Sequence, residues 1–271
     1  MARLIAIDDL DDPRLAIYRH VKRTNHTRDL GQFVLEGEKL LDALLASDHP
    51  VASVLVTDRK ADAIAAKVPG ETPVYVVPHE RIGEIVGYGF HLGVVSSGVR
   101  LPPPDLDAVM AKLGPRATLI VCPRIDNPEN LGSIVRLADV FGAAAVVVGG
   151  KCPDPLSRRV LRVSMGTALA RPVLAADDLA PLWDRLRTDH RVRFAAAVTD
   201  TDATPFDRYQ RPDRLALVLG CEGTGLEPPW LDRCEDRITI PMRPGAESLN
   251  VALAAGILLH RLTLGAAGPA P

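Results

Sequence analysis

The sequence predicts an α/β protein of two domains, and three observations carry that prediction. Short runs of β-branched and small apolar residues, such as VASVLVT at 51–57 and AAAVVV at 143–148, alternate with stretches of helical periodicity. A proline run, Pro102, Pro103 and Pro104 after Leu101, breaks helix and sheet alike and puts a boundary between about 98 and 116. The 271 residues, 47% hydrophobic and 24% charged, suffice for one large or two modest cores and are too apolar for a disordered chain.

In the first domain, taken as 1–105, residues 11–21 are weakly helical and 33–35 form a short apolar stretch. A helix follows over 38–45, then a buried strand over 51–57, a helix over 60–67 and a strand over 74–77. A helix over 79–86 and a strand over 93–95 complete a βα alternation that should give a small layered sheet.

In the second domain, 106–265, residues 117–121 form an apolar strand. The helix predicted over 131–141 places Ile134, Val135, Leu137, Ala138 and Phe141 on one broad face, and Gly142 suits its C-terminal end. The run at 144–148 suits a strand covered on both faces. Helices are expected over 159–170 and 179–187, and strands over 194–198, 215–219 and 237–240. A strongly apolar helix over 249–262 ends the domain, and a small-residue tail follows. No internal repeat is visible.

Composition removes several function classes. Four cysteines without a C-x-x-C spacing argue against a disulfide scaffold or a zinc knuckle. The seven histidines are scattered, H-E-x-x-H and G-x-S-x-G are absent, and no metal is expected. No apolar run reaches the roughly 20 residues of a membrane span, and the start MARLIAIDDLDD does not resemble a secretory leader, so a cytoplasmic protein is expected. The formal charge of −2 gives no bulk preference for nucleic acid, which leaves local patches to supply one.

Three segments could carry chemistry. In NLGSIVR at 130–136, Asn130 falls after Pro128, where a helix N-cap is expected, and Arg136 lies about 9 Å further along the helix axis. Arg136 is either a solvent-facing arginine on an amphipathic helix or a charge aimed into a site. In LGCEGTGL at 219–226, Gly220, Gly223 and Gly225 let backbone approach a ligand, and Glu222 carries the only charge. The spacing fits neither a Walker A loop nor a dinucleotide fingerprint; without a ligand it is a tight turn. In IPMRPGAESLN at 240–250, a loop leads into the apolar helix, with Ser248 as the natural N-cap and Asn250 in the first turn, where a polar group can face a cleft at the strand ends.

Basic residues cluster twice. Arg14, Arg19, Lys22, Arg23 and Arg28 occur without an acid between them, and Arg158, Arg159 and Arg162 follow the single Asp154. Phosphate contacts use such clusters, and so do solvated helix faces. Aromatics are only 4%, so no base-stacking platform is evident.

These three segments, in this order, resemble the motifs of the SpoU/TrmH family of RNA 2'-O-ribose methyltransferases of the SPOUT class. NLGSIVR is similar to the first motif, LGCEGTGL to the second and IPM…ESLNVA to the third. The resemblance covers nearly all of the second domain. FVLEGEKLLDALL at 33–45 and HLGVV at 91–95 resemble the start and close of the family's N-terminal substrate-binding extension, a smaller α/β domain of ribosomal-protein-like form. The resemblance implies a parallel-type sheet with a deep trefoil knot, an exception to the general rule against knots. It also implies S-adenosylmethionine held at Gly220, Ile240, Met242 and Leu249, a homodimer built partly on the last helix, and a structured RNA substrate, rRNA favoured over tRNA. The catalytic set it implies is Arg136, Asn130, Glu222, Ser248 and Asn250.

The chemistry is consistent with that set. A ribose hydroxyl is a weak nucleophile whose proton must leave as methyl transfers, while a sulfonium donor is already activated. Catalysis therefore needs in-line placement and help with the proton, and no metal. A guanidinium, which keeps its proton at neutral pH, more readily clamps a phosphate and orients the hydroxyl than acts as a base. The resulting reading is 2'-O-methylation of RNA with 23S rRNA as the favoured target; a tRNA methyltransferase and a non-catalytic RNA-binding or ribosome-assembly protein are the alternatives.

Overall fold

A computed structural model of the chain describes residues 2–19 and 26–264. In chain order the elements begin with β1 (Arg3–Ala6), a 3-10 turn (Pro13–Tyr18), α1 (His26–Asp29), β2 (Gln32–Glu36), α2 (Glu38–Leu45) and β3 (Val51–Thr57). They continue with α3 (Ala61–Lys67), β4 (Pro73–Val77), α4 (Ile82–Val86), β5 (Val94–Val99), α5 (Leu106–Ala111), β6 (Ala117–Cys122), α6 (Pro128–Val140) and β7 (Ala145–Gly149). The last stretch comprises α7 (Arg158–Val163), α8 (Thr167–Ala170), β8 (Val173–Ala176), α9 (Leu179–Thr188), β9 (Arg193–Val198) and β10 (Thr204–Pro205). It closes with β11 (Arg214–Val218), α10 (Pro228–Leu231), β12 (Asp236–Thr239) and α11 (Val251–Leu259).

The chain divides into two compact units. The first joins Met1–Pro102 to Leu156–Ala170, and the second joins Pro103–Pro155 to Arg171–Pro271. The division after Pro102 falls in the proline run. The segment Leu156–Ala170, assigned by sequence to the second domain, instead belongs with the first unit.

The first unit is built on a five-stranded sheet of order β1-β4-β3-β5-β2. β1, β4 and β3 are parallel, while β5 runs antiparallel to both β3 and β2. Alternation along β3 shows why helices lie on both faces: Leu55 joins a core with Leu15, Tyr18 and Ile82, whereas Val54 and Val56 join one with Leu41 and Ile64. β2 is an edge strand, and α7 packs on it, covering a row of backbone groups that would otherwise invite pairing. The helix expected over 159–170 is broken into α7 and α8, because Met165 and Gly166 take φ of 56° and 83°. Gly166 is needed there: a Cβ would lie 2.6 Å from that of Ala43.

The second unit is built on a seven-stranded sheet of order β10-β12-β9-β11-β6-β7-β8, and all six pairings between its neighbouring strands are parallel. Leu119 and Val121 of β6 enter a core with α5 and α9, centred on the fully buried Trp183 stacked on Phe194 at 4.0 Å. The alternate residue Ile120 is equally buried on the other face. Two-faced burial explains why these strands read as continuous apolar runs. Gly142, at φ 70°, ends α6 as the sequence predicts. No described helix is long and apolar enough to cross a membrane.

Candidate functional site

The site lies in the second unit, at the carboxyl ends of the adjacent strands β11, β6 and β7. This is where open α/β sheets bind ligands, because loops diverge there and leave a crevice. α6 starts at Pro128, and its N-cap is Asn127, whose side chain accepts the amide of Glu129 at 2.8 Å. Asn130 is therefore not the cap that the sequence suggests. It sits in the first turn, buried at 8% exposure, and its amide is free to serve the site.

Asn130 Nδ2 donates to Glu222 Oε1. Asn130 Oδ1 accepts from Asn250 Nδ2 at 3.0 Å. Asn250 Oδ1 in turn accepts the amides of Ala252 at 2.9 Å and Leu253 at 3.3 Å, which makes Asn250 the N-cap of α11. The cap expected at Ser248 has moved two residues on, and Ser248 is exposed. The chain of bonds has only one direction. Helix amides fix the oxygen of Asn250, so its NH2 must face Asn130, and the NH2 of Asn130 must then face Glu222. The acceptor at the end is a carboxylate, and the positive end of α11 favours this polarity. Three of the predicted catalytic residues, from three separate motifs, are thereby brought together.

Arg136 stands about two turns along α6, exposed, and makes no hydrogen bond or ion pair with any described residue. Its guanidinium is available to an external anion. Gly220 opens the second motif where the chain doubles back: a Cβ would lie 2.3 Å from the carbonyl carbon of Gly225, so only glycine fits. Cys221 and Gly225 exchange both backbone hydrogen bonds at 2.9 Å, which puts Glu222, Gly223 and Thr224 at the tip of a tight loop. Ile240 and Met242, past the end of β12, are half-buried, and Leu249 is 40% exposed, an apolar side chain beside polar machinery.

A second polar group was not legible in the motifs. Arg124, after β6, holds Asp126 through Nε at 2.8 Å and Nη2 at 3.1 Å, and reaches Glu227 through Nη1 at 3.4 Å. Lys151, after β7, donates to both oxygens of Glu227 at 3.1 Å. Asp126 also accepts the Cys221 thiol at 3.0 Å, and its amide points to Glu222 Oε2 at 3.5 Å. Hydrogen bonding from Arg124, then from Cys221, lowers the Asp126 pKa, and Lys151, with help from Arg124, lowers that of Glu227. Potential ligand atoms of Asp126, Cys221 and Glu222 lie within 4.8 Å of one another, yet each is already engaged by the bonds just described. Burial pushes the Cys152 thiol up to about 11 and the Cys122 thiol well above its usual value. The signal for this group was the R-x-D spacing at 124–126 and the acid Glu227 before the proline pair, both inside loops without regular periodicity.

α11 packs on α6, with Gly256 facing Leu137, whose two methyls would lie 3.6 Å from an added Cβ, and Phe141 edge-on to His260. Val140 at 63%, Leu253 at 64% and Ile257 at 40% exposure leave an apolar face on this helix pair.

In the first unit, the predicted basic residues are placed unevenly. Arg14 pairs with Asp12, and Arg19 with Asp11 at 3.1 Å and the Leu10 carbonyl. Lys22 and Arg23 lie outside the described residues, and Arg28 is exposed. Arg158 is half-buried, pairing with the buried Glu36 at 2.6 Å and lying over the Tyr88 ring, so it holds the fold together more than it presents charge to solvent. Arg159 and Arg162 are exposed on the same helix.

Comparison with known proteins places this geometry in context. The model of the SpoU rRNA Methylase family matches residues 117–260. An uncharacterized tRNA/rRNA methyltransferase of Mycobacterium tuberculosis strain H37Rv is 33% identical, over 94% of this chain and 90% of its own length. The 23S rRNA (guanosine-2'-O-)-methyltransferase RlmB of Acinetobacter baylyi is 30% identical over 67% of this chain and 74% of its own. The fold is shared with the crystal structure of an AdoMet-bound rRNA methyltransferase from Sinorhizobium meliloti, at a TM-score of 0.79 and 24% identity, covering 98% of this chain and 99% of that one.

Proposed function

The chain belongs to the SpoU rRNA Methylase family, and from that premise we propose that it transfers a methyl group from S-adenosylmethionine to the 2'-hydroxyl of a ribose in RNA. The substrate this reading favours is 23S rRNA, ahead of tRNA, and the working form is a homodimer. The observation that carries it is the one-way relay from Asn250 through Asn130 to Glu222, which ties the three motif segments to one point.

The residues fit the cofactor. The glycine loop carries one charge, that of Glu222, and no cation, which is unfavourable for a polyphosphate and suitable for a ligand with a positive sulfonium. Ile240, Met242 and the exposed Leu249 offer apolar surface for an adenine ring, and Gly220 keeps the backbone within reach. When bound, S-adenosylmethionine supplies an activated methyl group. The chain's own part is placement. Glu222, fixed by Asn130, holds the loop. Arg136 takes the phosphate beside the target nucleotide and turns the hydroxyl in line, and Ser248 lies free to hydrogen-bond the nucleotide. The apolar face of α6 and α11 supports the homodimer, since an uncovered patch of this kind marks an interaction surface. The knotted path that the motif resemblance implies belongs to the same proposal, and at Gly220 and Gly149, where an added Cβ would lie 2.3 Å from the Gly225 carbonyl carbon and 2.4 Å from the Pro123 carbonyl oxygen, only glycine lets the site loops pack this closely. Exposed Arg28, Arg159 and Arg162 are the proposed RNA contacts of the described first unit.

The test is methyl transfer from S-adenosylmethionine to total RNA, read by mass spectrometry of nucleosides. A 2'-O-methylated nucleoside in 23S rRNA supports the reading. A mark found only in tRNA moves the substrate, and no transfer leaves a non-catalytic RNA-binding protein.

A further inference from the structure

We infer that Arg124 is a positioning residue that holds the Cys221–Glu227 loop in its ligand-ready shape; the inference rests on the function proposed above. The loop is anchored at two ends. At its start the Cys221 thiol is bonded to Asp126, and at its end Glu227 is bonded to Lys151. Arg124 is the group that touches both anchors, taking both oxygens of Asp126 with Nε and Nη2 and Glu227 with Nη1. Only a planar guanidinium can do this, because its donors form a fixed fork that spans two carboxylates. The alternate backbone bonds between Cys221 and Gly225 then close the loop between the anchors.

Charge explains why the anchors need a cation. Asp126, Glu222 and Glu227 place three carboxylates around one loop, against the two cations Arg124 and Lys151. Without Arg124 three negative groups face one positive group, and the mutual repulsion opens the loop. The ion pairs are largely solvent-exposed, so they contribute little to global stability and the effect of losing one is local. None of Arg124, Asp126, Lys151 and Glu227 needs to touch the methyl group or the ribose.

The experiment compares wild type with Arg124→Gln and Arg124→Lys. In the ligand-free proteins, hydrogen exchange is followed at the amides of Cys221 and Gly225, both bonded in the closed loop. S-adenosylmethionine affinity is measured by calorimetry, and kcat and KM by methyl transfer. Arg124→Gln should exchange at least about tenfold faster at those two amides and bind S-adenosylmethionine about tenfold more weakly, with kcat within about threefold and the apo melting temperature within about 2 °C. Arg124→Lys, a point charge able to hold one anchor at a time, should fall between. Unchanged exchange at Cys221 and Gly225 in Arg124→Gln overturns the inference, whatever the cofactor result. Failure of the wild-type protein to bind S-adenosylmethionine overturns the proposed function instead and leaves the exchange result standing on its own.

Discussion

Asn250 performs two tasks that substitution can separate. As N-cap of α11 it accepts amides from Ala252 and Leu253, and as relay it donates to Asn130. Alanine removes both. Loss of the cap costs about 1 kcal/mol, and an orphaned Oδ1 on buried Asn130 costs about 1–3 kcal/mol more. A destabilisation of roughly 2–4 kcal/mol is expected in urea unfolding. Aspartate caps as well as asparagine but has no N–H to give. In Asn250→Asp the oxygen of Asn130 faces another oxygen, or Asn130 turns over and presents its oxygen to Glu222. Either way the polarity that fixes Glu222 is lost while the cap survives. The aspartate variant should therefore keep the part of stability that belongs to the cap and lose methyl transfer by about a hundredfold, the scale of an ångström-sized misplacement. The assay pairs urea unfolding with transfer to RNA. Wild-type transfer by Asn250→Asp would refute the relay, and an unchanged urea midpoint for Asn250→Ala would refute the cap.

Other perturbations follow from the same geometry. Gly220→Ala puts a methyl 2.3 Å from the Gly225 carbonyl carbon, so the loop must shift; S-adenosylmethionine binding by calorimetry should fall at least tenfold, by about 1.4 kcal/mol or more. Glu36→Ala leaves the half-buried Arg158 without its counter-charge, and the first unit should lose roughly 3–5 kcal/mol in denaturant unfolding. A loss below about 1 kcal/mol would show that solvent reaches the pair.

Much of the fold is legible in the sequence where a local pattern decides it. Glu38–Leu45 and Val51–Thr57 are helix and strand over the residues their periodicity indicates. β1 and β8 are not legible, since four-residue strands with mostly exposed or half-buried side chains, at the ends of their sheets, carry no alternation to read. The break between α7 and α8 depends on Gly166 fitting against Ala43, a contact the local pattern cannot contain. The placement of Leu156–Ala170 in the first unit likewise depends on Arg158 meeting Glu36, 122 positions away.

The site divides in the same way. Asn130, Glu222 and Asn250 stand out because polar residues flank apolar elements at the ends of strands, and the structure joins them across separations of 92 and 120 positions. Their local roles do not stand out. Asn127 and Asn130 are both credible caps by type, as are Ser248 and Asn250, and only the burial of one amide and the direction of its bonds decide between them. Arg124 was hidden for another reason: its partners Asp126 and Glu227 lie in two loops that become neighbours only because β6 pairs with β11.

The most direct test of the account is transfer of an isotope-labelled methyl group from S-adenosylmethionine to RNA by wild type and by Arg136→Ala, with the product digested to nucleosides. The account predicts label on a ribose 2'-oxygen with the wild type. With Arg136→Ala it predicts unchanged S-adenosylmethionine affinity and a transfer rate lower by roughly a hundredfold or more. Label on a base, or an Arg136→Ala variant that transfers at the wild-type rate, would contradict it.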